Sequence, residues 1–265
     1  MNTLDLFSLK NKVALITGGE RMYGKSASEA LVDAGAKLYM ACPFLEAAEQ
    51  TAQELRARGG DVTSVQYFQD NPDSIRNLVE TIIKAEGHID VLVNASRVIP
   101  QGGVGWFQEE KGLDWSVKVN SAGWMYVTML VGEQMMRQKS GSIISFASMM
   151  GLIGIEKHNY DGEPGMGDGA YGHDYAVNKS GIIAWTRHAA SYYGRFGVRV
   201  NTICPGGLKS DRTPELFSQN YSRHTQLGRL ANTDDVKGPI LFLASEASSY
   251  MTGLSIPVDG GYTCI

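Results

Sequence analysis

Apolar and polar positions along this chain fall into two alternating rhythms. Val13 to Ile16 is a short apolar run ending in Thr17-Gly18-Gly19, and Ala27, Ala30, Leu31 and Ala34 then recur at helical spacing before Gly35. That pattern predicts a strand, a glycine turn, a helix and a glycine stop. Lys37 to Ala41 predicts a second strand, Leu45 to Arg58 a helix closed by Gly59-Gly60, and Val62 to Phe68 a third strand. Pro72 stands where a first helical turn tolerates it and opens a helix to about Glu86. Ile89 to Val93 predicts a fourth strand, Trp115 to Lys139 a long helix, and Ser142 to Ala147 a fifth strand. A helix from Tyr175 to Tyr193 follows, then a strand at Val198 to Ile203, a helix near Asp234 to Ser245 and a last strand at Leu254 to Val258. Strands alternating with helices imply a doubly wound α/β architecture, a parallel sheet of about seven strands covered on both faces. Ligands bind such sheets beyond the carboxyl ends of the strands.

Composition narrows the picture. A chain of 265 residues, 43% hydrophobic, reads as one domain over 1–265. Its net charge of −4 is spread without blocks of one sign, which suggests no nucleic-acid and no membrane partner. Cys42, Cys204 and Cys264 are odd in number and form no CxxC, as expected of a reducing compartment. Met1 to Lys10 lacks a basic region followed by an apolar core, and the most apolar run, Ile143 to Ile155, is too short to span a bilayer. A cytoplasmic protein is expected.

The chemistry centres on Tyr175-Ala176-Val177-Asn178-Lys179. On a helix, positions four apart share a face, so the phenol and the ammonium can serve one site. A free phenol has a pKa of about 10, and bringing it near 7 requires about 4 kcal/mol of phenolate stabilisation. A neighbouring cation supplies stabilisation of that sign. The pair suits proton transfer to or from an alcohol or carbonyl oxygen near neutral pH. Taken alone it is equally two residues on a half-exposed helix.

The first turn, Thr17-Gly18-Gly19-Glu20-Arg21-Met22-Tyr23-Gly24, joins a strand to a helix N-terminus, where glycines admit close approach and free N–H groups can meet a phosphate. With Asn94-Ala95-Ser96-Arg97, Asn120, Ser148-Met149-Met150-Gly151, the Tyr175 and Lys179 pair, Pro205-Gly206 and Val258-Asp259-Gly260-Gly261 following in order, the chain resembles the short-chain dehydrogenase/reductase family over nearly its whole length. The resemblance implies a Rossmann-like fold and an NAD(P)-dependent oxidoreductase interconverting a secondary alcohol and a ketone. It also implies that Ser148 holds the substrate oxygen, Tyr175 passes the proton, Lys179 holds the nicotinamide ribose and keeps the tyrosine acidic, and Asn120 orders a water. The dinucleotide would be held by Thr17, Gly18, Gly19, Arg21, Met22 and Gly24, by Cys42 and Phe68 after the second and third strands, by Asn94 and Ala95, by Tyr175 and Lys179, and by Pro205 and Gly206. No metal is expected, and a homodimer or homotetramer pairing the Asn120 and Tyr175 helices is.

The departures from the family pattern matter as much. Met22 replaces the second glycine, Cys42 and Pro43 replace the acid that takes the adenosine ribose, Phe68 replaces an aspartate beside the adenine, and Ala95-Ser96-Arg97 replaces Asn-Ala-Gly. With that acid gone and Arg21 before position 22, a 2′-phosphate would meet a cation, favouring NADP over NAD. The competing expectation is a lost dinucleotide site and non-redox chemistry, as in halohydrin dehalogenases, which carry arginine where Lys179 stands. A binding protein with a vestigial site is the third class.

The interval before Tyr175 is longer than the family's. The extra chain, about 155–174, is rich in glycine and holds Glu156, His158, Asp161, Glu163, Asp168, Tyr171 and His173, which predicts a lid for a sugar, polyol or other polar substrate. The spacing of its histidines and acids matches no metal signature. Trp106 and Phe107 are expected to wall the substrate pocket, and Trp115 and Trp124 to pack in the core or a subunit interface. Arg212, Arg223, His224 and Arg229 are expected near the substrate or on a solvated face.

Overall fold

Seven strands form one sheet in the order β3-β2-β1-β4-β5-β6-β7, every neighbouring pair parallel. The computed structural model describes residues 2–99, 109–162 and 172–265. The strands are β1 Val13–Thr17, β2 Lys37–Cys42, β3 Asp61–Gln66, β4 Val91–Asn94, β5 Gly141–Phe146, β6 Val198–Pro205 and β7 Ser255–Val258. The helices are α1 Met22–Asp33, α2 Leu45–Ala57, α3 Pro72–Glu86, α4 Glu110–Ser116, α5 Trp124–Gln138, α6 His173–Tyr193, α7 Glu215–Ser222 and α8 Lys237–Ala244.

Alternation within the strands explains why both faces are covered. Ala14 and Ile16 of β1 enter a core with Leu31, Leu55 and Ile240 of α1, α2 and α8. Val13 and Leu15 enter the opposite core with Leu78, Val131 and Ala190 of α3, α5 and α6. Each fully buried leucine or isoleucine contributes about 1.5–3 kcal/mol, so the two layers hold the sheet from both sides. Among the described residues no helix is long and apolar enough to cross a membrane.

The expected long helix is built differently. It starts earlier, at Glu110, and a π-helical segment, Val117–Gly123, separates α4 from α5. The cause is local. Gln69, just past β3, donates its side-chain amide to the Val119 carbonyl at 2.8 Å. A Cβ on Gly123 would stand 1.9 Å from the Gln69 carbonyl oxygen, so only glycine permits the approach. An inserted side chain of this kind opens the i to i−4 ladder. The helix expected near Asp234 begins as a 3₁₀ turn, Thr233–Val236, before α8. Helix α7 has no counterpart among the predicted elements.

Candidate active site

β1 and β4 are neighbours although the chain visits β2 and β3 between them, so the switch point of the sheet lies at their carboxyl ends, where Thr17 pairs with Asn94. The glycine turn opens there. Gly18 adopts φ +71°, and a Cβ on it would stand 2.7 Å from Ser96 Cα. A Cβ on Gly24 would stand 1.9 Å from the Gly18 carbonyl oxygen. Glycine at both positions lets α1 close on the turn and lets the β4 exit lie against it. Arg21 caps α1 without a side-chain bond, leaving the first N–H groups of the helix open to an anion. Thr17 Oγ1 is buried beside them with no partner among the described residues. Met22 holds a left-handed φ of +51°, a conformation costly for a residue with a Cβ, yet it is 59% exposed. Its side chain lies in solvent rather than in the cradle.

One small cavity at this edge is lined by Asn94, Arg97, Asn120, Trp124, Tyr175 and Lys179, among others. The π segment aims Asn120 across to the β4 exit: its amide donates to the Val98 carbonyl at 2.8 Å and its oxygen accepts from the Val98 N–H at 3.0 Å. A second network fastens α6. Ser116 Oγ donates to Asp174 at 2.6 Å and accepts from Asn120 at 3.0 Å and Asn178 at 3.2 Å, while Ser121 donates to Asn178. Asp174 and Asn178 flank Tyr175 on its own helix, so the network fastens the turn that carries the phenol. Lys179 is buried, and its ammonium donates to the Phe146 carbonyl at 2.7 Å. Burial first, and the charge of Arg97 second, push its pKa down to about 7. Asn94 Oδ1 and Trp124 Nε1 are buried without partners among the described residues, an acceptor and a donor on two residues that line the same cavity.

Ser148 follows β5 and caps the 3₁₀ turn Met149–Gly151, its oxygen accepting from the Met150 N–H at 3.1 Å. Its own hydroxyl proton is not used in that bond. A Cβ on Gly151 would lie 2.9 Å from the Lys179 backbone, which seats this turn against α6. Pro205 ends β6, and the Gly206 N–H donates to the Val258 carbonyl at 3.0 Å.

A family model described as enoyl-(acyl carrier protein) reductase matches residues 20–263. The chain belongs to the short-chain dehydrogenase/reductase family. A 3-oxoacyl-[acyl-carrier-protein] reductase of Synechocystis sp. is 31% identical, over 96% of this chain and 98% of that one. A 7alpha-hydroxysteroid dehydrogenase of Paraclostridium sordellii is also 31% identical, over 96% of this chain and 92% of its own. A solved gluconate 5-dehydrogenase from Burkholderia cenocepacia J2315, in complex with NADP and tartrate, superposes with a TM-score of 0.88 at 25% identity over the whole of both chains. These relatives identify the chain as an NAD(P)-dependent short-chain dehydrogenase/reductase.

Around the exits of β2 and β3 this chain departs from the family pattern. Cys42 is 1% exposed, and its thiol packs in the core and donates to the Phe44 carbonyl at 3.1 Å, so at this position the side chain is a wall. Burial raises that thiol to about 11. Phe68 is 44% exposed just past β3, and Arg21 lies 6.0 Å from the Phe44 ring. Glu20, not singled out from the residues alone, is buried with one oxygen 3.2 Å from Arg21 Nε and the other without a partner among the described residues.

On the substrate side, Trp106, Phe107, Glu163, Asp168 and Tyr171 lie outside the described residues. The start of the insertion is anchored. Tyr160 is buried with its ring 5.1 Å from Phe217 of α7, and Asn159 donates to the Tyr262 hydroxyl at 2.9 Å. Glu156 and His158 pair with each other. Arg212, Arg223, His224 and Arg229 are all exposed, and Arg229 is held by Asp235 at 2.6 Å. Trp115 is half-buried, whereas Trp124 is 5% exposed, its ring 5.0 Å from Trp185. Sequence reasoning also passed over Tyr23, whose ring stacks 6.3 Å from Phe146 and whose hydroxyl donates to the Gly206 carbonyl at 3.3 Å. Its place one residue before Gly24 was the available signal.

Proposed function

We propose that this chain oxidises a secondary alcohol or reduces its ketone with Ser148, Tyr175 and Lys179 as the reacting set, on a sugar, polyol or similarly polar substrate. The observation that carries the reading is the gathering of Tyr175, Lys179 and Asn120 in one cavity beside the open glycine cradle. The cradle fits a dinucleotide: Gly18, Gly19 and Gly24 shape it, the α1 N-terminus and Thr17 Oγ1 offer donors, and Met22 leaves it unfilled. Arg21, Asn94, Ala95, Pro205 and Gly206 would complete it, with Phe68 beside the adenine. A bound nicotinamide supplies or accepts the hydride. The chain's own residues orient and move the proton. Ser148 would donate to the substrate oxygen, Tyr175 would give or take the proton at that oxygen, and Lys179, bonded to the Phe146 carbonyl, would hold the ribose. Asn120 holds the β4 exit in register with α6 and leaves one lone pair on Oδ1 for a water.

The open cradle is what weighs against the halohydrin-type alternative, which needs that space closed. The polar substrate is supported by the insertion, by its anchor on α7, and by the likeness to a gluconate dehydrogenase. For the cofactor we favour NADP, because Arg21 is exposed at the exit of β2 where Cys42 offers no charge. Glu20 supports the opposite choice: a buried carboxylate with an unpartnered oxygen could take ribose hydroxyls as the missing acid would, which favours NAD. We further propose a homodimer or larger homo-oligomer and a cytoplasmic location.

Titration with NAD, NADH, NADP and NADPH, followed by an alcohol and sugar screen with whichever binds, tests the reading. One pair should bind at micromolar affinity, and Tyr175→Phe should lower kcat by about a thousandfold or more without changing that affinity. Absence of binding by all four, or turnover retained in Tyr175→Phe, would overturn it. A higher kcat/KM with NAD would transfer the cofactor assignment from Arg21 to Glu20.

A further inference from the structure

Position 97 is where this chain places an arginine at a site the family pattern gives to glycine. Arg97 leaves the carboxyl end of β4 on the segment that Asn120 clamps through Val98. Its guanidinium carbon lies 4.4 Å from the centroid of the Tyr175 ring, whereas the Lys179 ammonium lies 5.8 Å from it. The two cations differ in kind. Lys179 is buried, committed to the Phe146 carbonyl, and depressed to about 7 by burial and by Arg97, so near neutral pH it is charged only part of the time. A guanidinium keeps its charge throughout the working range. Of these two, the nearer is also the permanent one.

We propose that Arg97 is a positioning residue for the proton transfer: its guanidinium, stacked on the phenol face, stabilises the Tyr175 phenolate, a task the family pattern leaves to the lysine. This inference rests on the dehydrogenase reading. In alcohol oxidation the phenolate accepts the hydroxyl proton, so the cation acts through Tyr175 and touches neither substrate nor hydride. Among the described residues, Lys179 lies against the phenol ring, Tyr23 on α1 couples to it, Asp174 and His173 adjoin it on α6, and Cys204 on β6 couples to Lys179. Asp174 opposes Arg97 in sign, but its carboxylate is turned to Ser116 at 2.6 Å. Burial holds Tyr23 well above its usual value and Cys204 at about 12, so both stay neutral. An opposite charge within about 4–6 Å favours the charged form of a titrating group, and the guanidinium carbon lies 4.4 Å from the centre of the ring that carries the phenolate oxygen.

The test compares pH profiles of kcat/KM for alcohol oxidation in the wild type, Arg97→Gln and Arg97→Lys, with dinucleotide affinity measured alongside. Arg97→Gln should move the midpoint of the acid limb up by about one pH unit, a loss of about tenfold below the midpoint that recovers at high pH. Dinucleotide affinity should stay within about twofold, and Arg97→Lys should restore most of the shift. A near-ultraviolet absorbance titration gives a readout independent of turnover: the phenol step that disappears in Tyr175→Phe should come at higher pH in Arg97→Gln. An unmoved midpoint, or a loss equal at every pH, overturns the proposal. A wild type inactive with every dinucleotide would defeat the dehydrogenase reading, while the absorbance titration would still decide the role of Arg97.

Discussion

Lys179 shows how one buried side chain ties function to stability. Its pKa falls from 10.5 to about 7, first because burial disfavours the ammonium and second because Arg97 stands nearby. The sign follows from linkage. Between these two values the unfolded chain binds a proton that the folded chain lacks, so stability from this site is fully present above the unfolded pKa. It is lost as pH falls toward about 7. Lys179→Met removes the titration but also the hydrogen bond to the Phe146 carbonyl. The variant should therefore lose activity yet gain melting temperature relative to wild type at about pH 6, with the gap shrinking or reversing near pH 9. Calorimetry at both pH values checks it, and a constant difference between the two proteins would show that the ammonium is not destabilised in the fold. Met22 shows the converse, a residue whose left-handed backbone is forced by its place in the turn.

At the scale of elements, the junction of α4, the π segment and α6 is where polar groups replace apolar packing. Ser116 is fully buried and serves Asp174, Asn120 and Asn178 at once. Ser116→Ala would leave a buried carboxylate and two amide groups short of partners, at about 1–3 kcal/mol. The melting temperature should fall by a few degrees, and kcat should fall more than dinucleotide affinity, because the directions of Asn120 and Tyr175 are what the network fixes. Parallel losses in both, or neither, would show that the network does not orient the phenol. This junction was also the part hardest to read from residues alone. The strands were legible because Val13 to Ile16 and Ile143 to Ile144 are buried on both faces, a pattern local to each run. Gly24 and Tyr175 were legible because the resemblance fixes their places. The π segment was not, since the Gln69 amide that opens it comes from another element. Asp174 and Asn178 were not singled out, because the serine they both bond is about sixty positions away. Helix α7 was missed because it is short and polar, held by Tyr221 against Tyr262 and by Phe217 against Tyr160.

For the molecule as a whole, the open question is what covers the outer faces of α5 and α6. Both helices use one side against the sheet, where Val131 and Ala190 are buried. On the other side Met129 is 53%, Val177 66% and Tyr192 51% exposed, and Val117 of the preceding π segment is 49% exposed, which is much apolar surface for elements that also carry the site. The expectation of a second copy pairing through these helices gives that surface an occupant. Gly181 tests it cleanly. It lies one turn after Val177, is exposed, and a Cβ built on it meets nothing within 4 Å, so a longer side chain leaves the isolated subunit undisturbed. Arginine is a better helix former than glycine, so the helix itself should not weaken. Gly181→Arg should convert a dimer or tetramer to smaller species in sedimentation velocity while retaining dinucleotide affinity. A wild type that sediments as a monomer, or an assembly indifferent to the arginine, would place any interface elsewhere and leave this face to solvent.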